Sequence, residues 1–376
     1  MKYYNRALYT VIPGDTLYSI ARRFGISQAA LLQLNPQIAN PNLIFPGQQI
    51  NMPTVSPSQP PLGCLAYTKS LKLYRSNADG SNPTHLTDLK SLYRGVQWSP
   101  NGKYIAYNAT SEIWIIDACG QNNKRLVANS ADIDEFTWSK DSNMIAFYPY
   151  VTDGHEYIGV VNLQGVITNT INADIIARVT NLTFISKDTQ LAGNVAALPK
   201  GANYPARGTM FITSVSGQNF KLYDEPYVAG GGLKISPNER FAAGLSFPDP
   251  NAFGTIYDFQ TGRTVRLPDQ YNTLGGWSPD STKLVYVKIT NPNGFGQIRI
   301  VNSSGILLQS LVQGYNLSVR WGPLPDWLIY SAYSGPNLTP MNVYLLNIQT
   351  GQRISLGEIS FPSWVPNICP PCRFFI

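Results

Sequence analysis

Few side chains in this chain have the types and spacing that catalysis or metal binding requires. The 376 residues include two histidines, His85 and His155, and neither lies in a metal-ligand spacing such as H-E-x-x-H. The nucleophile motif G-x-S-x-G and the sialidase Asp-box are both absent. Asp132, Asp134 and Glu135 form the densest acidic cluster, for which a solvated loop is favoured over a calcium or general-acid site. We therefore predict a protein that is not an enzyme and that holds no metal and no cofactor.

The composition argues against several classes of partner. The formal net charge is +6, charged residues make up 13% of the chain, and no basic run or basic helix stands out. This argues against nucleic-acid binding and favours at most a mild attraction to anionic wall polymers. No stretch reaches the roughly 18 apolar residues of a membrane span. The first residues, MKYYNRALYTVIPGD, lack the apolar centre of a signal peptide, so we predict synthesis into the cytoplasm.

The first part of the chain has a mixed α/β pattern. Residues 9–11 have the character of a strand, and the turn at residues 13–15 leads into a helix. Apolar residues recur on one face of that helix, at Leu17, Ile20, Ala21 and Phe24. A second helix, capped by Ser27, precedes a loop and a final strand, QQINMP. The predicted order is strand, helix, helix, strand.

This segment resembles a LysM domain along its whole length. The matching runs are Tyr9-Thr10-Val11, Pro13-Gly14-Asp15-Thr16-Leu17, Ile20-Ala21, Phe24-Gly25, Leu34-Asn35-Pro36 and Asn42-Leu43-Ile44-Phe45-Pro46-Gly47-Gln48. The resemblance implies binding of glycans that contain N-acetylglucosamine, such as peptidoglycan and chitin. It also implies a shallow groove between two loops, formed here by Gly14, Asp15, Thr16 and Leu17 on one side and by Asn40, Pro41, Asn42, Leu43 and Ile44 on the other. For Leu17 a core position is an equal alternative, and Asp15 is also a candidate helix cap.

A short pattern recurs through most of the remaining chain. It first appears as WSPNGKYIAY from Trp98, and its variants begin at Trp138, Phe184, Lys234, Trp277, Trp321 and, truncated, Trp364. If Ser99, Ser139, Ser186, Ser236, Ser278, Gly322 and Val365 are equivalent, the repeat is roughly 40–50 residues long, a period typical of propellers when the units are strands. The recurring tryptophans, at about one per unit, are expected to pack between sheets rather than to stack on sugars.

The repeat resembles the TolB-like (WD-like) β-propeller over about residues 64–366. Residues 65–89 resemble the last three strands of a unit, and the missing first strand is present at Trp364. Pairing these two segments would close the ring and remove its open edges. We therefore predict a seven-bladed all-β propeller closed by the C-terminal strand, with six blades as the alternative.

These patterns divide the chain into three parts. We predict a LysM domain at residues 1–53, a Pro-rich linker at 54–63 and a propeller with a short Cys-containing tail at 64–376. Proline at the density found in the linker favours an extended, semi-rigid spacer.

Long loops are predicted on one face of the ring. In the later units the connections between the second and third strands are long and carry aromatic residues, a composition that favours binding. The interaction candidates on this face are Tyr150, Tyr157, Tyr204, Phe253, Phe295 and Tyr333. Variable loops without a ligand are the alternative.

The four cysteines allow a covalent closure of the ring. Cys369 and Cys372 have the C-x-x-C form, but no second pair supports a zinc or redox site. Ring closure would bring them near the start of the propeller, so Cys64 could bond either of them. Cytoplasmic synthesis favours free thiols, whereas later deposition on a cell or spore surface would permit the bond.

Together these features predict a non-catalytic protein that anchors a propeller platform for a protein partner to peptidoglycan or another N-acetylglucosamine polymer. By analogy with spore-coat proteins that carry LysM, we predict a cell-wall or spore-surface location after synthesis in the mother cell. A wall-associated enzyme that cleaves glycan or peptide is one alternative. A sensor of soluble glycan fragments is another.

Overall fold

The structure is a computed structural model that describes residues 6–11, 15–23, 28–53, 63–91, 95–128, 131–149, 157–172, 179–197, 207–223, 232–245, 253–269, 271–291, 294–333, 335, 341–366 and 369. Within these ranges a small α/β unit is followed by a long series of β-strands. Of the predicted linker, Gly63 alone lies within the described residues.

We call residues 6–53 the N-terminal unit. Its elements are β1 (Arg6–Thr10), α1 (Leu17–Arg23), α2 (Gln28–Leu34) and β2 (Gln49–Pro53). The two strands pair antiparallel, with Leu8 opposite Asn51. The predicted order of strand, helix, helix and strand is confirmed, although Phe24 and Ser27 lie outside the described residues.

Packing rather than intrinsic helicity stabilises the N-terminal unit. Each helix has 7 residues, and helices this short are marginal in water without tertiary contacts. Their apolar faces meet the two strands in one core, built from Val11, Leu17, Ile20, Ala21, Leu31, Ile38, Ile50 and Met52. Neither helix in the described part of the chain is long and apolar enough to cross a membrane.

A buried amide joins the second helix of this unit to its second strand. Asn35 follows α2, and its side chain has no exposed surface. Its Nδ2 donates to the carbonyl oxygens of Leu31, at 2.8 Å, and Asn51, at 2.7 Å, while its Oδ1 accepts from the Asn51 backbone N–H at 2.6 Å. Oδ1 also accepts from Gln37 Nε2 at 3.0 Å. One side chain therefore satisfies backbone groups that no regular ladder reaches at this junction.

The rest of the described chain is built from β-strands. In chain order they are β3 (Cys64–Lys69), β4 (Lys72–Asn77), β5 (Thr84–Asp88), β6 (Val96–Trp98), β7 (Tyr104–Ala109), β8 (Glu112–Asp117), β9 (Lys124–Ala128), β10 (Ile133–Trp138), β11 (Met144–Pro149), β12 (Tyr157–Asn162), β13 (Ile167–Asn172), β14 (Val179–Ile185), β15 (Gln190–Ala197), β16 (Arg207–Ser214), β17 (Lys221–Tyr223), β18 (Lys234–Ile235), β19 (Phe241–Leu245), β20 (Gly254–Asp258), β21 (Arg263–Arg266), β22 (Tyr271–Trp277), β23 (Lys283–Ile289), β24 (Phe295–Asn302), β25 (Leu307–Trp321), β26 (Trp327–Tyr333), β27 (Met341–Asn347), β28 (Arg353–Gly357) and β29 (Ser360–Val365).

The strands form antiparallel meanders of neighbouring chain segments. Four-stranded sheets have the orders β6-β7-β8-β9, β10-β11-β12-β13, β14-β15-β16-β17 and β18-β19-β20-β21. A fifth four-stranded sheet has the order β29-β3-β4-β5, and a longer sheet runs from β22 to β28. Because β25 has 15 residues, its first half completes one unit and its second half begins the next. The described strands can thus be grouped into seven four-stranded units.

The first strands of several neighbouring units contact one another along the inner side of the strand series. Contacts join β29 to β6, β10 to β14, β18 to β22 and β22 to β25. Two tryptophans connect adjacent units on this side: Trp138 Nε1 donates to the Gln97 carbonyl at 3.3 Å, and Trp277 Nε1 donates to the Lys234 carbonyl at 2.9 Å. Both indoles are buried, in keeping with the expected packing between sheets.

The recurring serine has a local role in the turn that follows the first strand. In the unit that contains Ser278, the hydroxyl donates to Asp280 Oδ1 at 2.5 Å and accepts from the Lys283 backbone N–H at 2.9 Å. The same two bonds occur at Ser99, Ser139 and Ser236, which are all buried. The Ser-x-Asx spacing of the repeat therefore reflects a side chain that closes the hairpin.

One sequence equivalence is corrected by the strand register. Phe184 pairs with Leu191, just as Trp98 pairs with Ile105. Ile185, not Ser186, therefore occupies the position of Ser99. The hydroxyl is absent at this position, which explains why the repeat pattern weakens in this unit.

The two ends of the strand series meet. Strand β29 pairs antiparallel with β3, with Trp364 opposite Leu65. Next to this pair, Cys64 and Cys369 form a disulfide across 305 residues of sequence, with their Cα atoms 4.9 Å apart. Cys372, the other partner considered for Cys64, lies outside the described residues.

Candidate functional site

The first candidate site is formed by the two loops of the N-terminal unit. The backbone N–H of Val11 donates to the Gln48 carbonyl at 2.9 Å, and Gly47 donates to the Val11 carbonyl at 2.8 Å. Ile44 packs against the core that also contains Leu17. These contacts hold the end of the second loop against the base of the first, so the two predicted sides of the groove share one support.

The first loop is positioned by a side-chain hydrogen bond. Tyr9 Oη, from β1, donates to Asp15 Oδ2 at 2.6 Å, which directs the carboxylate toward the sheet. Thr16 is exposed, whereas the Leu17 side chain is completely buried. Leu17 therefore has no exposed surface to offer a ligand in this conformation, which agrees with the core alternative. Gly14 lies outside the described residues.

The second loop presents both polar and apolar surface. Asn40 folds it locally, because its carbonyl accepts from the Leu43 N–H at 3.0 Å and its Oδ1 accepts from the Asn42 N–H at 3.0 Å. Asn40 and Asn42 are exposed, Pro41 and Ile44 are half-buried, and Leu43 is 56% exposed. This arrangement places amide groups beside an apolar side chain on one loop.

Sequence reasoning did not select Phe45, which belongs to the same surface. The ring is 59% exposed, although a phenylalanine next to core residues would ordinarily be buried. Its backbone N–H donates to Gln48 Oε1 at 3.0 Å, which fixes the loop around it. The sequence carries no signal that separates Phe45 from Ile38 and Ile44, which the structure shows to supply the apolar contacts of this loop to the core.

The second candidate site is the face with the long loops. Of its predicted residues, Tyr150 and Tyr204 lie outside the described residues, whereas Tyr157, Phe253, Phe295 and Tyr333 are half-buried. Tyr157 packs edge-on against Phe147, with ring centroids 6.3 Å apart. The Arg266 guanidinium lies 3.3 Å from the centroid of the Phe253 ring. Each of these two rings is therefore engaged by its own sheet.

Two of the predicted aromatics belong to one row. Tyr315 in β25 pairs with Phe295 on one side and with Tyr333 on the other. The Phe295 and Tyr315 rings meet at 70°, with centroids 4.9 Å apart. Residues directly opposite in antiparallel strands point to the same side of a sheet, so the three aromatic residues lie in one row across the sheet. Tyr315 was missed because it lies in the middle of β25, away from the long connections, whereas Phe295 and Tyr333 lie at strand ends next to them.

The connection between β21 and β22 carries a buried carboxylate. Asp269 accepts from Tyr286 Oη at 2.7 Å and pairs with Lys288 Nζ at 2.8 Å and Arg299 Nη1 at 3.5 Å. Burial alone would raise the pKa of Asp269. The hydrogen bonds from Lys288 and Tyr286 have the opposite effect, and the net shift of the pKa is downward. A carboxylate held ionised between two cations stabilises structure and is a poor general acid.

The solvated loop favoured for the acidic cluster holds only for the exposed Asp132, because Asp134 and Glu135 lie in β10 and Asp134 is buried. The histidines have ordinary surroundings where they are described. His85 lies in the outer strand β5, exposed, with Nε2 3.1 Å from Asp88 Oδ1. His155 lies outside the described residues. Among the residues that the structure describes, no three His, Cys, Asp or Glu side chains are grouped to hold a metal ion.

Comparison with known proteins identifies the N-terminal unit. The model of the LysM domain family matches residues 9–53. A chlorophenol reductase of Desulfitobacterium hafniense is 57% identical over 42 residues, which are 11% of this chain and 13% of that protein. The spore coat assembly protein ExsA of Bacillus cereus is 41% identical over 49 residues, which are 13% of this chain and 8% of that protein. Each match thus spans only a small part of the relative.

A solved structure identifies the fold of most of the chain. TolB from Acinetobacter baumannii is similar with a TM-score of 0.50 and 15% identity, and the match covers 87% of this chain and 77% of that one. At this level of identity the likeness shows the fold alone.

Proposed function

Because residues 9–53 are a LysM domain and most of the chain has a TolB-like propeller fold, we propose a non-catalytic glycan-binding protein that holds a propeller at a wall or spore surface. The LysM domain would bind peptidoglycan or another polymer of N-acetylglucosamine. The exposed loop of residues 40–45, with its amides beside apolar side chains, is the observation that carries this proposal.

The chemistry of this loop suits an N-acetylated sugar. The acetamido group offers one N–H donor and one C=O acceptor, which match the exposed side chains of Asn40 and Asn42. Its methyl group and the apolar face of the sugar ring would cover Leu43 and Phe45, which water otherwise contacts. Short polar groups next to an apolar floor are typical of small-ligand sites.

We expect Leu43→Asp to weaken the binding of the full chain to insoluble peptidoglycan by about fivefold or more. The substitution removes apolar contact worth roughly 1 kcal/mol or more and places a charge against the sugar. Because the side chain is 56% exposed, the core of the domain should remain intact. Co-sedimentation with purified peptidoglycan measures the effect.

The matched control is Ile306→Asp, which changes an apolar side chain of similar exposure, 61%, in the propeller. It should leave sedimentation unchanged. Equal sedimentation of the Leu43→Asp and unchanged proteins would contradict this site. Release of soluble wall fragments by the unchanged protein would contradict the non-catalytic role. Binding of soluble oligosaccharides without sedimentation would favour a sensor.

We further propose that the long-loop face holds a protein partner at that surface. The aromatic row of Phe295, Tyr315 and Tyr333 supports this, because half-buried aromatic side chains are typical anchors of protein interfaces. The likeness to a spore coat assembly protein supports a spore-surface location after synthesis in the mother cell, although that match spans only 8% of the relative.

Replacing Tyr333 by alanine should reduce the amount of any partner that co-sediments with the wall-bound protein by about fivefold, since one interface anchor contributes roughly 1 kcal/mol or more. Quantitative mass spectrometry of the pellet, with coat or wall extract added, provides the measurement. Leu222→Ala, at an exposed position on the outer strand β17, is the control. If the Tyr333→Ala protein brings down the same proteins in the same amounts, the long-loop face is not the partner site.

A further inference from the structure

The first strands of the units contain one layer of residues at a common register. We define the channel layer as the residues that pair with Ala66, Ala106, Ala146, Ala192, Ala243, Val285 and Ile329 of the second strands. These residues are Ser363, Gln97, Thr137, Thr183, Lys234, Gly276 and Arg320, in the same order. Each comes from the first strand of a different unit. Since the first strands of a propeller line its central channel, we place this layer around that channel.

Charge in the channel layer is concentrated on one side. Five of its members carry no charge, while Lys234 and Arg320 are cationic. They come from the units on either side of the one that contributes Gly276. Two positive side chains thus flank a position without a side chain.

The glycine lies against the side chain of Lys234. Gly276 has a φ of +100°, and a Cβ built on it would lie 3.7 Å from Cγ and Cδ of Lys234. The pairing of β22 with β23 shifts between Leu274 and Gly276, which marks an irregular backbone at this point. Glycine and irregular pairing in a strand commonly occur where a ligand approaches the backbone.

Arg320 has no charged partner in the described part of the chain. None of the ion pairs or hydrogen bonds of the described residues involves its guanidinium. The side chain is exposed to water, yet desolvation lowers the pKa of Arg320 to about 10. The group therefore contacts water on one side, while the protein around it excludes part of the solvent and lowers the pKa.

The positive charge of Lys234 is only partly compensated by its surroundings. Its Nζ donates to the neutral Asn181 Oδ1 at 3.2 Å. Desolvation lowers the pKa of Lys234, Glu135 on β10 opposes that effect, and Arg320 adds to it. Glu135 is an acidic group that acts on Lys234, whereas Arg320 has no ion pair among the described residues. An unpaired cation in such a site is unfavourable, so an anion between the two would be stabilised.

We propose that the channel layer is a binding site for a small oxyanion, a carboxylate or a phosphate, held between Arg320 and Lys234 above Gly276. The planar guanidinium suits two oxygens of either group, and the ammonium supplies a point charge. This site is separate from the LysM domain, and it gives the propeller a ligand chemistry of its own. Phosphate and carboxylate share this chemistry and differ in charge and geometry, so the test includes both.

The experiment is calorimetric titration of the full chain with inorganic phosphate and, separately, with glutarate in a buffer of low chloride concentration. The unchanged protein should bind at least one of them. Arg320→Gln should weaken binding by about tenfold or more, because it removes charge-assisted hydrogen bonds. Arg320→Lys should weaken it less, and Lys234→Met should also weaken it. Tighter binding of phosphate would indicate a phosphate ligand, and tighter binding of glutarate would indicate a carboxylate ligand.

The control is Arg263→Gln, which removes an exposed arginine from the outer strand β21 and should change nothing. Near-ultraviolet circular dichroism of each variant tests whether the propeller remains folded. If Arg320→Gln does not fold, Arg320→Lys and Lys234→Met decide the outcome. The site is refuted if neither anion binds the unchanged protein, or if binding is equally tight in the folded variants.

Discussion

Removal of the disulfide by Cys64→Ala together with Cys369→Ala will lower the free energy of unfolding of the propeller by roughly 2–5 kcal/mol. The bond closes a loop of 305 residues, so it restricts the unfolded chain strongly. It also fixes β29 beside β3, the pair that joins the two ends of the strand series. The measurement is the denaturant concentration at the midpoint of propeller unfolding. It reports stability when the dependence of the unfolding free energy on denaturant is the same in the proteins compared.

The single variants supply the matched controls. Cys64→Ala and Cys369→Ala each break the same bond, so each should destabilise the propeller about as much as the double variant does. Cys119 is itself disulfide-bonded, so the comparison is made in oxidised protein, with the remaining thiol alkylated, rather than with a reductant. This account would be contradicted if the losses of stability in the two single variants summed in the double variant. It would also be contradicted by a double variant as stable as the unchanged protein.

Asn35→Ala is expected to unfold most of the LysM domain and to abolish sedimentation of the full chain with peptidoglycan. The substitution removes the partners of the half-buried Asn51 N–H and C=O, at a cost of up to roughly 1–3 kcal/mol for each group. A domain of this size has only a few kcal/mol of stability to lose. The thermal unfolding transition of the LysM domain measures the loss of stability, and sedimentation with peptidoglycan measures the loss of binding.

Gln33→Ala is the control for this prediction, because Gln33 lies on the same helix, α2, with an exposed side chain. It should change neither unfolding nor sedimentation. A stable Asn35→Ala domain that still binds the wall would show that the buried amide is dispensable. A stable domain that fails to bind would instead place Asn35 in the glycan site.

The order of elements was predictable because its signals are local. The i, i+3, i+4 pattern from Leu17 to Ala21 lies within one helix, and the serine of each repeat acts within its own hairpin. The weakest copy failed for the same reason: Ile185 cannot form the bonds of a serine, so the alignment slipped to Ser186. A local sequence signal therefore predicts the structure where the residue forms the expected hydrogen bonds, and it misleads where another residue occupies that position.

The sites were less predictable because burial and register depend on distant residues. Leu17 fits equally a groove or a core until Ile44 is seen to pack on the same cluster. Phe45 appears to be an ordinary core residue until the loop around it is built. Lys234 and Arg320 share a layer only through the register of separate sheets, and no sequence pattern links them.

The position of β29 also sets the order in which the molecule can be completed in the cell. Its partner β3 leaves the ribosome first, and at about 5–20 residues per second the 290 residues between Lys69 and Ser360 take about 15–60 s to translate. Throughout that time one edge of β3 has no partner, and it offers N–H and C=O groups to any neighbouring nascent chain. Final assembly is therefore post-translational, and a chain that terminates before β29 keeps an open edge that chaperones and proteases can recognise.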